Sequence, residues 1–196
     1  MTVFYDQVKE RLIRYAKIDT ESDPHSKTVP TTACQHDLAK EIYNELRQIG
    51  VSNVYYDTDK CVVYGQLEAN VKTGKEIGFV THMDTAPDAS GKNVKPWVLE
   101  NYDGKDIVLN SEKNIVMSPD VFPTLKQYIG QDLILTDGTT LLGGDDKASI
   151  AAVMTLLEYL VKHPEIKHNL ISVAFTPDEE VSGLAKDLDL ERFKAP

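Results

Sequence analysis

Three short apolar runs in this chain each give way, within a few residues, to acidic side chains, and that recurrence narrows the folds open to it. Ile77-Gly78-Phe79-Val80 runs into Thr81-His82-Met83-Asp84-Thr85. Leu133-Ile134-Leu135 leads, through the polar turn Asp137-Gly138-Thr139-Thr140, to Gly143-Gly144-Asp145-Asp146-Lys147. Leu170-Ile171-Ser172-Val173-Ala174-Phe175 leads to Thr176-Pro177-Asp178-Glu179-Glu180-Val181. Apolar runs this short, bounded by turn residues, read as strands. Acidic and histidine side chains at three strand exits would line one rim of an open α/β sheet, where ligands usually bind.

The spacing inside the first cluster carries its own chemistry. Side chains alternate along a strand, so His82 and Asp84 point the same way. The carboxylate can then hold one imidazole nitrogen while the other faces a metal, an arrangement that fixes the tautomer and raises ligand basicity. Each cluster also has a plainer reading. His82 and Asp84 could be an ordinary hydrogen-bonded pair. Asp145 or Asp146 could cap a helix, and Glu179 and Glu180 could sit in a first helical turn at the positive end of the dipole. Taken with His82, the three clusters together favour a shared metal site.

The rest of the chain alternates helix and strand. Phe4, Val8, Leu12, Tyr15 and Ala16 mark one face of an opening helix. A second helix starts near Thr32, turns Leu38, Ile42, Leu46 and Ile49 inward and stops at Gly50. Ile150, Val153, Met154, Leu157 and Val161 recur at helical spacing after Lys147. Strands are expected at 54–56 and 61–67. The long mixed stretch 87–131 is too long for a plain loop, and a short β excursion is expected near 106–109 and 115–117. The sum is an α/β fold, a three-layer sandwich with a mixed, largely parallel sheet.

Several functions are disfavoured. The segment from Gly138 to Gly143 has P-loop spacing, but Gly144 stands where lysine is needed and Asp145 and Asp146 would repel phosphate. No G-x-G-x-x-G follows a strand, and no H-E-x-x-H occurs. A net charge of −10 argues against nucleic acid and anionic membrane as partners. The stretch 150–157 is too short to span a bilayer. Asp6, Lys9, Glu10 and Arg11 interrupt any signal-peptide core, and Cys34 and Cys61 have no C-x-x-C spacing, so a cytoplasmic protein with reduced cysteines is expected. His25, His36, His163 and His168 lack matched carboxylates and read as exposed. Arg14, Tyr55 and Trp97 read as packing or surface residues.

The blocks H-M-D-T-A-P-D, S-G-K-N-V, E-N-Y-D-G-K-D-I, T-L-L-G-G-D-D-K-A and A-F-T-P-D-E-E-V, in this order, resemble the peptidase T branch of the M20 family of two-zinc peptidases and deacylases. The resemblance implies an aminopeptidase acting on tripeptides. It makes His82 a zinc ligand oriented by Asp84, Asp145 the carboxylate bridging two zinc ions, Glu180 a ligand of the second zinc, and Glu179 the general base. It also implies a non-proline cis peptide between Asp145 and Asp146. Residues 1–196 would be the N-terminal part of the catalytic domain, with an aspartate and a histidine ligand, a lid that also carries homodimer contacts, and a C-terminal catalytic segment lying beyond Pro196. The isolated chain is then expected to be inactive. Ser149, Ser182 and Leu184 stand where the family usually has glycine. An M20 deacylase or dipeptidase of another substrate class would carry the same His82, Asp145, Glu179 and Glu180, and a non-catalytic truncated hydrolase domain is the third reading.

Overall fold

The central strand of the sheet is β8 (Ile171–Thr176), all six of whose residues are buried. The computed structural model of the protein describes residues 2–71, 74–182 and 188–194. Along the chain the elements are α1 (Thr2–Ala16), α2 (Gln35–Ile49), β1 (Ser52–Asp57), β2 (Val62–Leu67), β3 (Ile77–His82), β4 (Trp97–Leu99), β5 (Ile107–Asn110) and β6 (Ile115–Met117). A 3-10 segment (Pro123–Tyr128), β7 (Leu133–Leu135), α3 (Gly144–Lys162), β8, α4 (Glu179–Ser182) and α5 (Leu190–Phe193) follow. The main sheet has the order β1-β2-β8-β3. β1 with β2 and β2 with β8 run antiparallel, and β3 with β8 runs parallel.

Alternation along the strands divides this sheet into two faces. Ile171, Val173 and Phe175 of β8, with Val63 of β2, pack against Leu12 and Tyr15 of α1, Leu38, Ile42 and Leu46 of α2, and Ile150, Met154 and Leu157 of α3. The helical residues recur at three- and four-residue spacing, as the sequence predicts. Gly50 ends α2 in the left-handed region at φ 95°, where its N–H reaches the Leu46 and Arg47 carbonyls. A side chain there would be strained. The opposite face is smaller. Val62, Tyr64 and Ala174 pack under Phe193 and Leu188, and Asp189 N–H donates to the Tyr64 hydroxyl at 2.9 Å.

The α/β sandwich and mixed sheet match the expectation; the balance of pairings differs. Only one of the three strand pairs in the main sheet is parallel, because β1 and β2 form a hairpin and β2 lies antiparallel to β8. The place of Leu133-Ile134-Leu135 also differs. As β7 it pairs with β4, Trp97 opposite Leu135, in a separate two-stranded sheet. Trp97 Nε1 donates to the Thr136 carbonyl at 3.0 Å and fastens that pair. β5 and β6 form the expected hairpin, and together these strands enclose a satellite core of Tyr102, Ile107 and Leu135. The first and third acidic clusters thus leave main-sheet strands, whereas the second arrives on the start of α3. Among the described residues no helix is long and apolar enough to cross a membrane.

A buried ionic cluster joins the three long helices. Arg11, 8% exposed, donates to Glu45 at 2.8 Å, Thr155 at 2.8 Å and Glu158 at 2.5 Å. Tyr15 donates to the other oxygen of Glu45 at 2.5 Å. Removing one partner of such a cluster strands the rest away from water. Arg11→Met should therefore cost about 3 kcal/mol of folding stability. Urea unfolding followed by circular dichroism measures this, and a loss below about 1 kcal/mol would show the cluster to be peripheral to stability.

Candidate metal centre

The parallel pairing of β3 with β8 brings two of the clusters together. In parallel strands both chains leave the sheet at the same end. Here His82 lies opposite Thr176, and Met83 N–H donates to the Thr176 carbonyl at 2.8 Å. His82-Met83-Asp84 and Asp178-Glu179-Glu180 therefore emerge side by side. Asp84 joins them. Its side chain is fully buried, its Oδ1 accepts the Glu179 amide at 2.9 Å and its Oδ2 accepts the Glu180 amide at 3.1 Å. His82 Nδ1 lies 3.3 Å from Oδ1 of the same carboxylate and 3.1 Å from the Asp84 main-chain carbonyl. Nδ1–H has two acceptors close by, and the imidazole presents Nε2 outward.

Asp145 completes the group from the start of α3. Gly143 precedes it in the left-handed region at φ 74°, and a Cβ there would lie 3.1 Å from Thr85 Cγ2 and 3.3 Å from Lys147 Cδ. Glycine is needed here for conformation and for space. Asp145 and Asp146 have non-helical dihedrals and are joined by a cis peptide bond, as the resemblance implies. Asp145 Oδ1 reaches His82 Nε2 at 2.9 Å, and Glu179 Oε2 lies 3.9 Å from the same nitrogen. Ligand atoms of His82, Asp145 and Glu180 all fall within 4.8 Å of one another, a group that could hold a metal ion.

The group is buried below and open above. His82 is 9% exposed, whereas the Asp145 side chain is 86% exposed. Burial alone would push the His82 pKa down. Hydrogen bonds to Asp84 and Asp145, and the surrounding carboxylates, outweigh it and bring the imidazole up to about 9. Burial would likewise raise Asp84, but His82 and the two glutamate amides hold it below its ordinary value. Glu180 is raised, by burial first and then by Asp145, Asp84 and Glu179, against the pull of His82. Lys147, 1% exposed, donates to the Ile18 carbonyl at 2.8 Å, and burial lowers its pKa to about 8 despite Asp19.

All five residues singled out in the sequence meet here: His82, Asp84, Asp145, Glu179 and Glu180. Ser149 lies within α3 and Ser182 ends α4, whereas the Leu184 substitution lies outside the described residues. Of the other histidines, His163 is half-buried beside the Glu165 carboxylate at 3.0 Å, and His36 bonds to Tyr56, so neither is simply exposed. Sequence reasoning missed the support beneath the glutamates: Asp178, Thr31 and Gln35 are mutually hydrogen-bonded across 143 to 147 residues of chain. The one local hint is that Asp178 stands in an acidic run yet belongs to none of the metal-type pairings.

No family model matches the chain. It is 53% identical over 189 residues to peptidase T of Alkaliphilus oremlandii, covering 95% of this chain and 46% of that protein. It is 51% identical over 191 residues to peptidase T of Clostridium novyi, covering 97% and 47%. The chain thus spans about half the length of the curated relatives it matches. In fold it is similar to aminopeptidase PepT from Bacillus cereus, with a TM-score of 0.66 at 24% identity over 97% of this chain and 41% of that one. A tripeptidase from Staphylococcus aureus gives 0.63 at 23% identity, again over 97% and 41%.

The raised imidazole has a measurable consequence in the metal-free chain. A histidine whose folded pKa exceeds its ordinary 6.5 contributes stability that is complete below that pH and lost as pH rises through about 9. Lys147, lowered on folding, acts with the opposite sign, so the comparison must be with a chain differing only at His82. In the presence of a chelator, the stability difference between wild type and His82→Gln should shrink steadily from pH 6 to pH 9.5. A difference that is flat over that interval would show that the imidazole does not carry the charge.

Proposed function

We propose that this chain, a relative of peptidase T along 95% of its length, is the N-terminal metal-holding part of a cytoplasmic, zinc-dependent aminopeptidase that releases the N-terminal residue of tripeptides. The observation that supports this most directly is the convergence of His82, Asp145 and Glu180 within 4.8 Å, with Glu179 beside them. One imidazole nitrogen and two carboxylates are a donor set suited to zinc. Ligand atoms on a tetrahedral zinc lie about 3.3 Å apart, given bonds near 2.0–2.1 Å. The 2.9 Å contact between His82 and Asp145, the pair that would share one ion, lies near that spacing. In this reading Asp145 would hold both zinc ions, with His82 on one and Glu180 on the other. On the same reading an aspartate and a histidine ligand, and a lid that recognises substrate and carries dimer contacts, would lie in the part of the full-length protein that this chain does not span.

Bound zinc supplies Lewis acidity at the scissile carbonyl and a water of lowered pKa. The chain's own residues do the rest. Asp84 keeps the proton of His82 on Nδ1, so that Nε2 offers its lone pair to the ion. It also fixes the amides of Glu179 and Glu180, which sets the two side chains on adjacent positions of one turn. Glu180 would hold the ion. The Glu179 carboxylate takes the proton of the attacking water as the new C–O bond forms, and returns it to the leaving amine nitrogen as the C–N bond breaks.

Two variants of the full-length protein separate these roles. Glu179→Gln should keep its zinc and lose turnover by roughly 10²–10⁴-fold, the range for a lost general base. Glu180→Gln should lose zinc, because an amide is a poorer ligand than a carboxylate. Metal analysis alongside turnover reads both, and equal zinc loss in the two variants would mean that the two glutamates are wrongly assigned. Tripeptides should be cleaved in preference to dipeptides and N-acyl amino acids. The isolated 196-residue chain should hydrolyse none of them.

A further inference from the structure

We infer that Asp178 is a positioning residue, which together with Thr31 and Gln35 sets the turn that carries Glu179 and Glu180; this rests on the metal-site reading above. Asp178 directly precedes the two glutamates, is 5% exposed, and sits in the left-handed region at φ 61°. Aspartate is among the few residues with a Cβ that adopt this region, through hydrogen bonds of its short polar side chain. Asp178 Oδ1 accepts the Thr31 hydroxyl at 2.5 Å and Gln35 Nε2 at 2.7 Å. The Thr31 amide lies 3.0 Å from Oδ1 and 2.9 Å from Oδ2. Asp178 N–H returns a bond to Gln35 Oε1 at 3.2 Å, and Gln35 is fully buried.

The chemistry of this cluster selects a carboxylate. Thr31 N–H, Thr31 O–H and Gln35 N–H are three donors facing one side chain, which suits a group that only accepts. Asparagine adopts the left-handed region readily and has nearly the same shape, but it must turn an NH₂ toward a donor. Asp178 therefore differs from its near neighbours in role. It is outside the group formed by His82, Asp145 and Glu180, and its oxygens engage Thr31 in the loop before α2 and Gln35 at the start of α2. The turn is thereby held from two sides. Asp84 grips the Glu179 and Glu180 amides from the β3 side, and Thr31 and Gln35 grip Asp178 from the α2 side. The four-residue helix α4 that the glutamates begin is too short to fix its own direction.

Zinc affinity of the 196-residue chain, measured by competition with a chromophoric chelator, tests this without activity. Asp178→Asn should weaken zinc binding about tenfold, a typical loss when the group orienting a ligand is removed. The same change made in a Glu180→Gln chain should add less than about twofold, since Asp178 would act through Glu180. Thr31→Val should reproduce part of the loss and Thr31→Ser should restore it, which keeps the test decisive should Asp178→Asn fail to fold. Circular dichroism at matched temperature establishes that each chain is folded. Full additivity of Asp178→Asn with Glu180→Gln, or unchanged affinity in Asp178→Asn and Thr31→Val, would overturn the positioning role. Unchanged zinc binding in Glu180→Gln alone would instead overturn the metal-site reading, and this inference with it.

Discussion

The carboxylate of Asp84 is the interaction on which the site's geometry depends. A fully buried carboxylate is costly unless its charge is met by an opposite charge or by several donors. Here the compensating groups are His82 on one side and the Glu179 and Glu180 amides on the other. The requirement to satisfy one buried charge thus draws the end of β3 and the end of β8 into contact. It can do so only because those two strands run parallel in matched register, His82 opposite Thr176. An antiparallel pairing would have sent the two clusters to opposite ends of the sheet. The single parallel pair of the main sheet is the one the site needs.

Above that floor the charges are unbalanced. Asp84, Asp145, Glu179 and Glu180 crowd one imidazole, and their repulsion adds to burial in raising Glu180. In the metal-free chain a proton on His82 supplies part of the missing positive charge. Lys147 supplies another cation nearby, but its ammonium is turned away to the Ile18 carbonyl. Its position also ties the start of α3 to the loop after α1. An exposed Asp145 over a buried His82 leaves the open side of the group free for a divalent ion, which would relieve the same repulsion more completely than a proton can.

Much of this was legible in the sequence, for identifiable reasons. Period-two alternation set His82 and Asp84 on one side where β3 ends. Helical spacing gave the inward faces of α1, α2 and α3, and Gly50 gave the end of α2. The excursion at β5 and β6 followed from a stretch too long and too mixed to be a plain loop. What was hidden depends on partners far away in the chain. β7 looked like a main-sheet strand, and nothing local says that Trp97 will capture it 38 residues earlier in the chain. Lys147 reads as a structural counter-charge, and nothing local says that Ile18 is placed against it. Asp178 reads as one more acid in an acidic run, because a left-handed dihedral outside glycine leaves no mark in composition.

These hidden contacts bear on how two consecutive glutamates could take the different tasks proposed for them. Within a strand, consecutive side chains would point to opposite faces. Within a long helix their directions would be fixed by the helix itself. The pair here begins a helix of four residues, so neither rule applies. Their directions follow from bonds made to the main chain around them: Asp84 to both amides, and the Thr31–Gln35 donors to the residue just before. A turn defined in this way has little freedom left in its backbone, so the side chains of Glu179 and Glu180 can diverge without the turn itself shifting. On the proposed reading, the separation of a metal ligand from a general base on adjacent residues would rest on the buried carboxylates at both flanks.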